Sequence, residues 1–179
     1  DKPNGFGTWR WWYRKNTLPA VTAVMNRNRN RVGNLSFSKR GGHYSWDWGR
    51  VHLVNLNLYP GNNATPNKNQ KGREPDHSFD FLREDLKEQV GNSGRPVMIM
   101  HHYGYDSFGR QPRWWTDEDR VRLKKLLRAY NVVGLLHGHT HNTSHYSWEG
   151  YDVYNLGSPY YKNYNADGLS LIHISEPTR

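Results

Sequence analysis

Two pairs of histidines carry the clearest chemical signal in this sequence. His139 and His141 belong to a Gly-His-Thr-His stretch, and His101 and His102 follow the apolar run 96–100. Neutral imidazole is a common ligand of zinc, iron and manganese ions. Because the chain has no cysteine, thiolate ligands and disulfides are excluded, which leaves His, Asp and Asn to hold a metal. These residue types predict a metal site.

The spacing of His139 and His141 suits two neighbouring ions. If the apolar strand before them continues through this stretch, residues i and i+2 point the same way, with Cα atoms about 6.6 Å apart at about 3.3 Å per residue. Each imidazole could then bind one of two ions held about 3.5–4 Å apart. Because Gly138 has no side chain, the ions could approach the backbone closely at this residue. A histidine from another strand end, such as His102, could complete half of the site.

Five segments of the chain resemble one enzyme family. Residues 138–141 resemble the last signature of the calcineurin-like metallophosphoesterases, and residues 98–104 resemble the signature before it. Three supporting segments occur in the order that this family shows, namely the hairpin at 43–56, the helix at 79–86 and the strand at 131–136. Together the five cover most of residues 43–160, and such an ordered match is far more specific than any single motif.

The resemblance implies a fold, a reaction and a set of metal ligands. The fold would be α/β, an α-β-β-α layered sandwich with mixed sheets. The reaction would be hydrolysis of a phosphate monoester or diester at two metal ions of the Mn, Fe or Zn type. His102 and His139 would bind one ion and His141 the other. His102 fits the family pattern if Gly104 stands where proline is usual, and His101 is the alternative ligand.

The same comparison identifies what the chain lacks. No stretch matches the N-terminal family signatures Asp-x-His, Gly-Asp-x-x-Asp and Gly-Asn-His-Asp/Glu. By resemblance they supply the bridging aspartate, an asparagine ligand and the histidine that acts as general acid. We therefore expect residues 1–168 to be a partial domain, inactive alone and a weak metal binder, with the break near Asp1. Residues 169–179 resemble a translated sequencing adapter and are excluded from the fold argument.

Composition and charge limit the other classes of protein to which the chain could belong. At 179 residues and 35% hydrophobic, the chain predicts one domain with a core, and it has no apolar run near the roughly 18 residues of a membrane span. Of the net charge of +9, residues 1–50 hold ten Lys or Arg against Asp1 and Asp47. This basic flank could attract an anionic substrate, or it could be a solvated face. The sequence indicates no obligatory protein partner, and the absence of cysteine is compatible with export without establishing it.

Non-catalytic functions remain as alternatives. The Trp- and Arg-rich segment 9–14 could stack sugars or bases, although large aromatics more often pack a lid or a core edge. One alternative is therefore a carbohydrate-binding module with a structural metal, and the other is a nucleic-acid binder acting through residues 9–50. His137, His139 and His141 also suggest a histidine-triad hydrolase, but the intervening Gly138 and Thr140 are not hydrophobic, which disfavours it.

Local patterns predict the elements that position these histidines. Helices are expected over 78–90, with Ser78 as N-cap and Gly91 just beyond, and from Thr116 onward, where acids fill the first turn. Strands and hairpins are expected at 43–48 with 51–58, at 96–101, at 132–137 and at 146–148 with 151–156.

Several other residues receive a provisional role from the sequence. His137 is interpreted as a packed histidine, with orientation of a ligand or contact with substrate as the alternative. His43, His52, His77 and His145 are interpreted as structural. Trp114 and Trp115 are expected to line the entrance to the site. Tyr105 and Asp106 are expected to contact the substrate.

Overall fold

The computed structural model describes residues 15, 18–29, 31, 33–38, 41–62, 75–105 and 115–157. A π-helical turn, Leu86–Val90, continues the second helix. The regular elements of this part of the chain are α1 (Leu18–Asn28), β1 (Gly33–Phe37), β2 (Tyr44–Trp48), β3 (Val51–Asn55), α2 (Ser78–Asp85), β4 (Val97–Met100), α3 (Asp117–Leu127), β5 (Val132–His137), β6 (Ser144–Trp148) and β7 (Tyr151–Asn155).

The described strands form one mixed sheet in the order β1-β2-β3-β4-β5-β7-β6. β1, β2 and β3 pair antiparallel, β6 pairs antiparallel with β7, and β3, β4, β5 and β7 run parallel. The parallel strands therefore end at one edge of the sheet, where Asn55, Met100, His137 and Asn155 are the last strand residues. This architecture confirms the predicted α/β class and the mixed sheet.

The two predicted helices begin and end largely where local chemistry predicts. Thr116 caps α3 by accepting a hydrogen bond from the Asp119 backbone N–H. The prediction for Ser78 was wrong, because His77 occupies the N-cap position of α2 without a side-chain cap. Ser78 instead lies inside the first turn, and its hydroxyl donates to the Tyr59 carbonyl and accepts from the Gly61 N–H. Gly91 ends the π-helical turn at φ 51°.

One face of the sheet and the helices enclose the core. Leu82 and Leu86 from the second helix and Leu123 and Leu127 from α3 have no exposed surface. They pack against strand residues that alternate inward, such as Val97 and Ile99 of β4, Leu135 of β5 and Val153 of β7. Each such leucine contributes about 1.5–3 kcal/mol when fully buried. This packing fixes the helices to the sheet and the parallel strand ends to one another.

Two hairpins frame the parallel strands. β3 stops at Asn55, three residues before the predicted end, because residues 56–59 leave the sheet and meet the loop after β4. β6 begins at Ser144, two residues earlier than predicted, and turns into β7 through Glu149 and Gly150, which both have positive φ. No described helix combines the length and the apolar character needed to cross a membrane.

Candidate metal centre

Three loops meet at the carboxyl edge of the parallel strands. The Leu58 carbonyl accepts hydrogen bonds from the backbone N–H groups of His102, at 3.0 Å, and Tyr103, at 2.7 Å. The Gly138 N–H donates in turn to the His102 carbonyl at 3.2 Å. The loop after β4 is thus tied to the loop after β3 on one side and to the loop after β5 on the other. These bonds set the backbone positions from which the predicted ligands extend.

His102 and His139 come into direct contact at this edge. The Nε2 atom of His102 lies 2.9 Å from Nδ1 of His139, and the two rings are 4.8 Å apart at 73°. Tyr103 packs edge-on against His139 at 4.6 Å and restricts the orientation of that imidazole. Both histidines are half-buried, so the pair remains open to a small ligand. Since one nitrogen must accept in this contact, at least one of the two rings is neutral.

The chemistry of this pair fits a metal ion. Two imidazole nitrogens bound to one ion at about 2.0–2.1 Å lie about 2.9 Å apart at a right angle and about 3.3 Å apart in tetrahedral geometry. The facing nitrogens of His102 and His139 are 2.9 Å apart, which is close to these separations. The pair supplies two ligands of the four or more that such an ion takes. Within the described residues, no group of three or more His, Asp or Glu side chains is arranged to hold a metal.

The segment carrying His139 and His141 is not extended. β5 ends at His137, and His139 and His141 adopt left-handed φ angles of 75° and 62°. The prediction that both imidazoles project from one strand with a two-residue repeat was therefore wrong. A left-handed conformation costs a non-glycine residue about 1–3 kcal/mol and is concentrated at functional sites. His141 is half-buried in the loop that follows the pair.

Gly138 has space around it in this structure. Apart from its two chain neighbours, the nearest described atom to a Cβ built on Gly138 would be the Leu156 carbonyl oxygen, at 4.0 Å. Packing among the described residues therefore does not require glycine there. The expectation that Gly138 gives room to the ions stays a prediction.

His101 points away from the pair, into the core. Its side chain is buried, Nε2 lies 2.6 Å from the Tyr105 hydroxyl, and its ring stacks 6.4 Å from His137. Burial, together with the neighbouring His137 and His102, holds the pKa of His101 well below its ordinary value. His101 is therefore a neutral core residue, and His102 is the member of this pair that reaches the carboxyl edge.

Two aromatic residues expected near substrate lie in the core instead. Trp115 is 1% exposed, its indole N–H donates to the Gly104 carbonyl at 2.8 Å, and the Arg120 guanidinium lies 4.9 Å from the centre of its ring. Tyr105 is 3% exposed, and burial raises its pKa well above 10. Both predictions were wrong, because these rings fill the space between α3 and the sheet. Trp114, Asp106 and the segment 9–14 lie outside the described residues.

The histidines interpreted as structural do make structural contacts. The buried His43 ring donates from Nε2 to the Asp76 carbonyl at 2.8 Å and accepts at Nδ1 from the Asn57 N–H at 3.1 Å. Burial is the main reason that the pKa of His43 is lowered. On the exposed surface, His145 pairs with Asp152 at 2.8 Å.

His52 is the centre of a buried ionic network that the sequence did not reveal. Its Nδ1 lies 2.8 Å from Asp47 and its Nε2 lies 2.8 Å from Asp85. Asp85 also accepts from the Ser45 hydroxyl, and Arg95 forms a pair with Asp47 at 2.8 Å. Although burial acts to lower it, hydrogen bonds to Asp85 and Asp47 raise the pKa of His52. No local pattern could indicate it, because Asp85 is 33 residues away in sequence.

The fold and this edge define an α/β protein with paired imidazoles where parallel strands end. A family model described as calcineurin-like phosphoesterase matches residues 9–143. The chain therefore belongs to the calcineurin-like phosphoesterase family, and membership supports metal-dependent hydrolysis of phosphate esters. The match begins at residue 9, well before the five segments recognised from residue 43 onward. A search of curated proteins finds no match to the chain.

Proposed function

We propose that His102, His139 and His141 contribute to a two-ion site that hydrolyses a phosphate monoester or diester. The observation that carries the proposal is the 2.9 Å contact between His102 and His139 at the carboxyl edge of the sheet. Family membership supplies the reaction class. The two histidines are 37 residues apart in sequence, and a contact between two ligand-type side chains at a shared strand edge is the arrangement that a metal site requires.

Each histidine has a distinct role in this proposal. His102 and His139 hold one ion through their facing nitrogens, while Tyr103 keeps the His139 ring in place. His141 serves the second ion from the following part of the loop. When bound, divalent ions supply Lewis acidity, which neutralises phosphoryl oxygens and makes hydroxide available near neutral pH. The remaining ligands must come from residues other than these three histidines.

The surroundings of the pair suit an anionic substrate that arrives from solvent. Both imidazoles are half-buried, so a phosphate group can reach them while the core behind remains closed by Tyr103, which is 4% exposed. The formal net charge of +9 favours approach of anions to the chain as a whole. These features agree with a phosphate ester.

Metal binding tests the ligand assignment. The 179-residue chain is titrated with Zn²⁺ and with Mn²⁺ by calorimetry, beside His139→Ala and His145→Ala. His145 is a matched control, because it is an exposed histidine that pairs with Asp152 in the β6–β7 hairpin. We expect His139→Ala to lose the tighter binding event and His145→Ala to keep it. Equal binding by all three proteins would contradict the site.

Hydrolysis is then measured on p-nitrophenyl phosphate and on its bis-ester with the same proteins. The expectation from the sequence is no turnover by this chain, since three imidazoles fall short of the ligand set for two ions. Metal-dependent turnover that His139→Ala abolishes would support the hydrolase directly and would contradict that expectation. The ratio of rates on the two substrates would separate phosphomonoesterase from phosphodiesterase.

A further inference from the structure

The loop that carries His139 and His141 is held from behind by a buried histidine. His137 is the last residue of β5 and is 2% exposed. It lies on the core side of the sheet, where its ring stacks 6.4 Å from that of His101. The left-handed φ angles that follow it need support from surrounding structure. His137 is placed to provide that support.

The hydrogen bonds of His137 fix one tautomer. Its Nδ1 lies 3.0 Å from the Gly138 carbonyl oxygen, which can only accept, so Nδ1 carries the proton. Its Nε2 lies 2.7 Å from the Tyr146 hydroxyl. That hydroxyl oxygen accepts from the Tyr105 backbone N–H at 3.3 Å, which leaves its own proton for Nε2 of His137. The bonds therefore run in one direction, from Tyr105 through Tyr146 and His137 to Gly138.

The backbone of Gly138 joins this chain of bonds to the candidate ligands. Its carbonyl accepts a second hydrogen bond from the Thr140 N–H at 3.0 Å, which closes the turn around His139. Its N–H donates to the His102 carbonyl at 3.2 Å. Gly138 thus connects the backbones of both imidazoles that meet at 2.9 Å. Rotation about the backbone bonds of Gly138 would move His139 relative to His102.

A second side chain holds the far end of the same turn. Asn155 is 3% exposed and lies opposite His137 in the register of β5 and β7. Its amide donates to the Thr140 hydroxyl, which also accepts from the Asn142 N–H at 3.3 Å. The turn is therefore fixed on both sides of His139 by side chains from the ends of two adjacent parallel strands.

We propose that His137, held in one tautomer by Tyr146, is a positioning residue that sets His139 against His102 for metal binding. It acts through the backbone of Gly138 and does not itself bind the ion. This inference rests on the proposed function, because it assigns His137 and Tyr146 to the same site. It also explains why an otherwise apolar strand ends in a buried imidazole.

Tyr146→Phe tests the proposal with little change in packing. The substitution removes only the hydroxyl that holds Nε2 of His137, whereas His137→Ala would leave a cavity in the core. Tyr154→Phe is the matched control, because Tyr154 lies on β7 and stacks on His145, and its hydroxyl makes no hydrogen bond within the described residues. Partners that orient metal-binding histidines change metal affinity by about 10–100-fold. We expect Tyr146→Phe to weaken Zn²⁺ binding about tenfold, and Tyr154→Phe to leave it unchanged at similar thermal stability.

Hydrogen exchange of the metal-free protein gives an independent measurement. If the proposal holds, the Thr140 amide, which donates to Gly138, exchanges faster in Tyr146→Phe than in the parent or in Tyr154→Phe. Unchanged exchange together with unchanged Zn²⁺ affinity would overturn it. Faster exchange without weaker binding would also overturn it, because the turn would then not serve the metal. A failure of the proposed function gives a different result, namely that His139→Ala binds Zn²⁺ as tightly as the parent. That result would also refute the positioning role of His137.

Discussion

Substitution of Asp85 by Asn tests whether the buried network around His52 stabilises the fold through charge. The side chains of His52 and Asp85 are 0% and 1% exposed, and their Nε2 and Oδ2 atoms are 2.8 Å apart. The substitution keeps the shape of the side chain and removes one of the two carboxylates that hold the imidazolium. Breaking a buried pair from one side costs about 3–5 kcal/mol. Because Asp47 stays in place, we expect the lower end, about 3 kcal/mol.

The cost of this substitution must depend on pH. The pKa of His52 is raised above the 6.5 of an unfolded chain, so its stabilisation is complete below pH 6.5 and is lost as pH rises through the raised value. Asp47 behaves in the opposite sense, because hydrogen bonds from His52, Arg95 and Asn34 lower its pKa despite partial burial. Its contribution is present above pH 3.8 and is lost as pH falls through the lowered value. The network is strongest between these limits.

Urea unfolding followed by tryptophan fluorescence measures the free energy of unfolding of parent and variant at about pH 5.5 and about pH 8.5. The test uses the difference in the free energy of unfolding between parent and variant at each pH. The parent alone is not informative, because the lowered pKa values of His43 and His101 make it less stable as pH falls. The cost of Asp85→Asn should be larger at the lower pH. The excess is about 1.4 kcal/mol for each unit by which Asp85 raises the pKa of His52.

An exposed pair of the same chemistry provides the control. His145 and Asp152 are also 2.8 Å apart, but their side chains are 53% and 59% exposed. Solvent screening limits such a pair to about 0–1 kcal/mol, so Asp152→Asn should change stability little. A cost for Asp85→Asn that is as small as that of Asp152→Asn, or that does not vary with pH, would refute the ionic role of the network.

Substitutions at three further positions test local contacts in the fold, each by urea unfolding. Trp115→Ala should cost about 3–5 kcal/mol, because the ring is 1% exposed; a cost below about 1 kcal/mol would mean that the ring is not in the core. Thr116→Ala should cost about 1 kcal/mol and Thr116→Ser much less, since serine keeps the capping oxygen; equal costs would contradict the cap. Gly41→Ala should cost about 1–3 kcal/mol, because a Cβ there would overlap the His43 ring, and parental stability would contradict that arrangement.

Local patterns predicted most of the elements, and the reason is that those patterns act over a few residues. The helix after Thr116 and the strand 132–137 were predicted closely because capping, helical periodicity and an apolar run are properties of neighbouring residues. The N-cap of α2 was misassigned because Ser78 satisfies backbone groups of the distant segment 59–61 instead of its own helix. Trp115 was misassigned because a Trp beside a loop gives no information about which side of the loop faces the core.

The candidate site, too, was predicted in part from local sequence and in part was not. The Gly-His-Thr-His stretch and the pair at 101–102 identified the histidines from the sequence alone, since residue type decides which side chains can bind a metal. Adjacent residues of an extended segment, such as His101 and His102, point to opposite sides. Which of them meets His139 depended on the face of the sheet that the helices cover.

The sequence by itself determined the family, the α/β class and the residues with metal-binding chemistry, because these follow from residue type, order and short-range periodicity. Only the tertiary structure decided the 2.9 Å contact of His102 with His139, the left-handed turn after His137, and the network that joins His52 to Asp85. The contact and the network join residues that lie far apart in the chain, and the turn is held by side chains of other strands. Their geometry depends on the register of the parallel strands and on burial, which no short segment encodes.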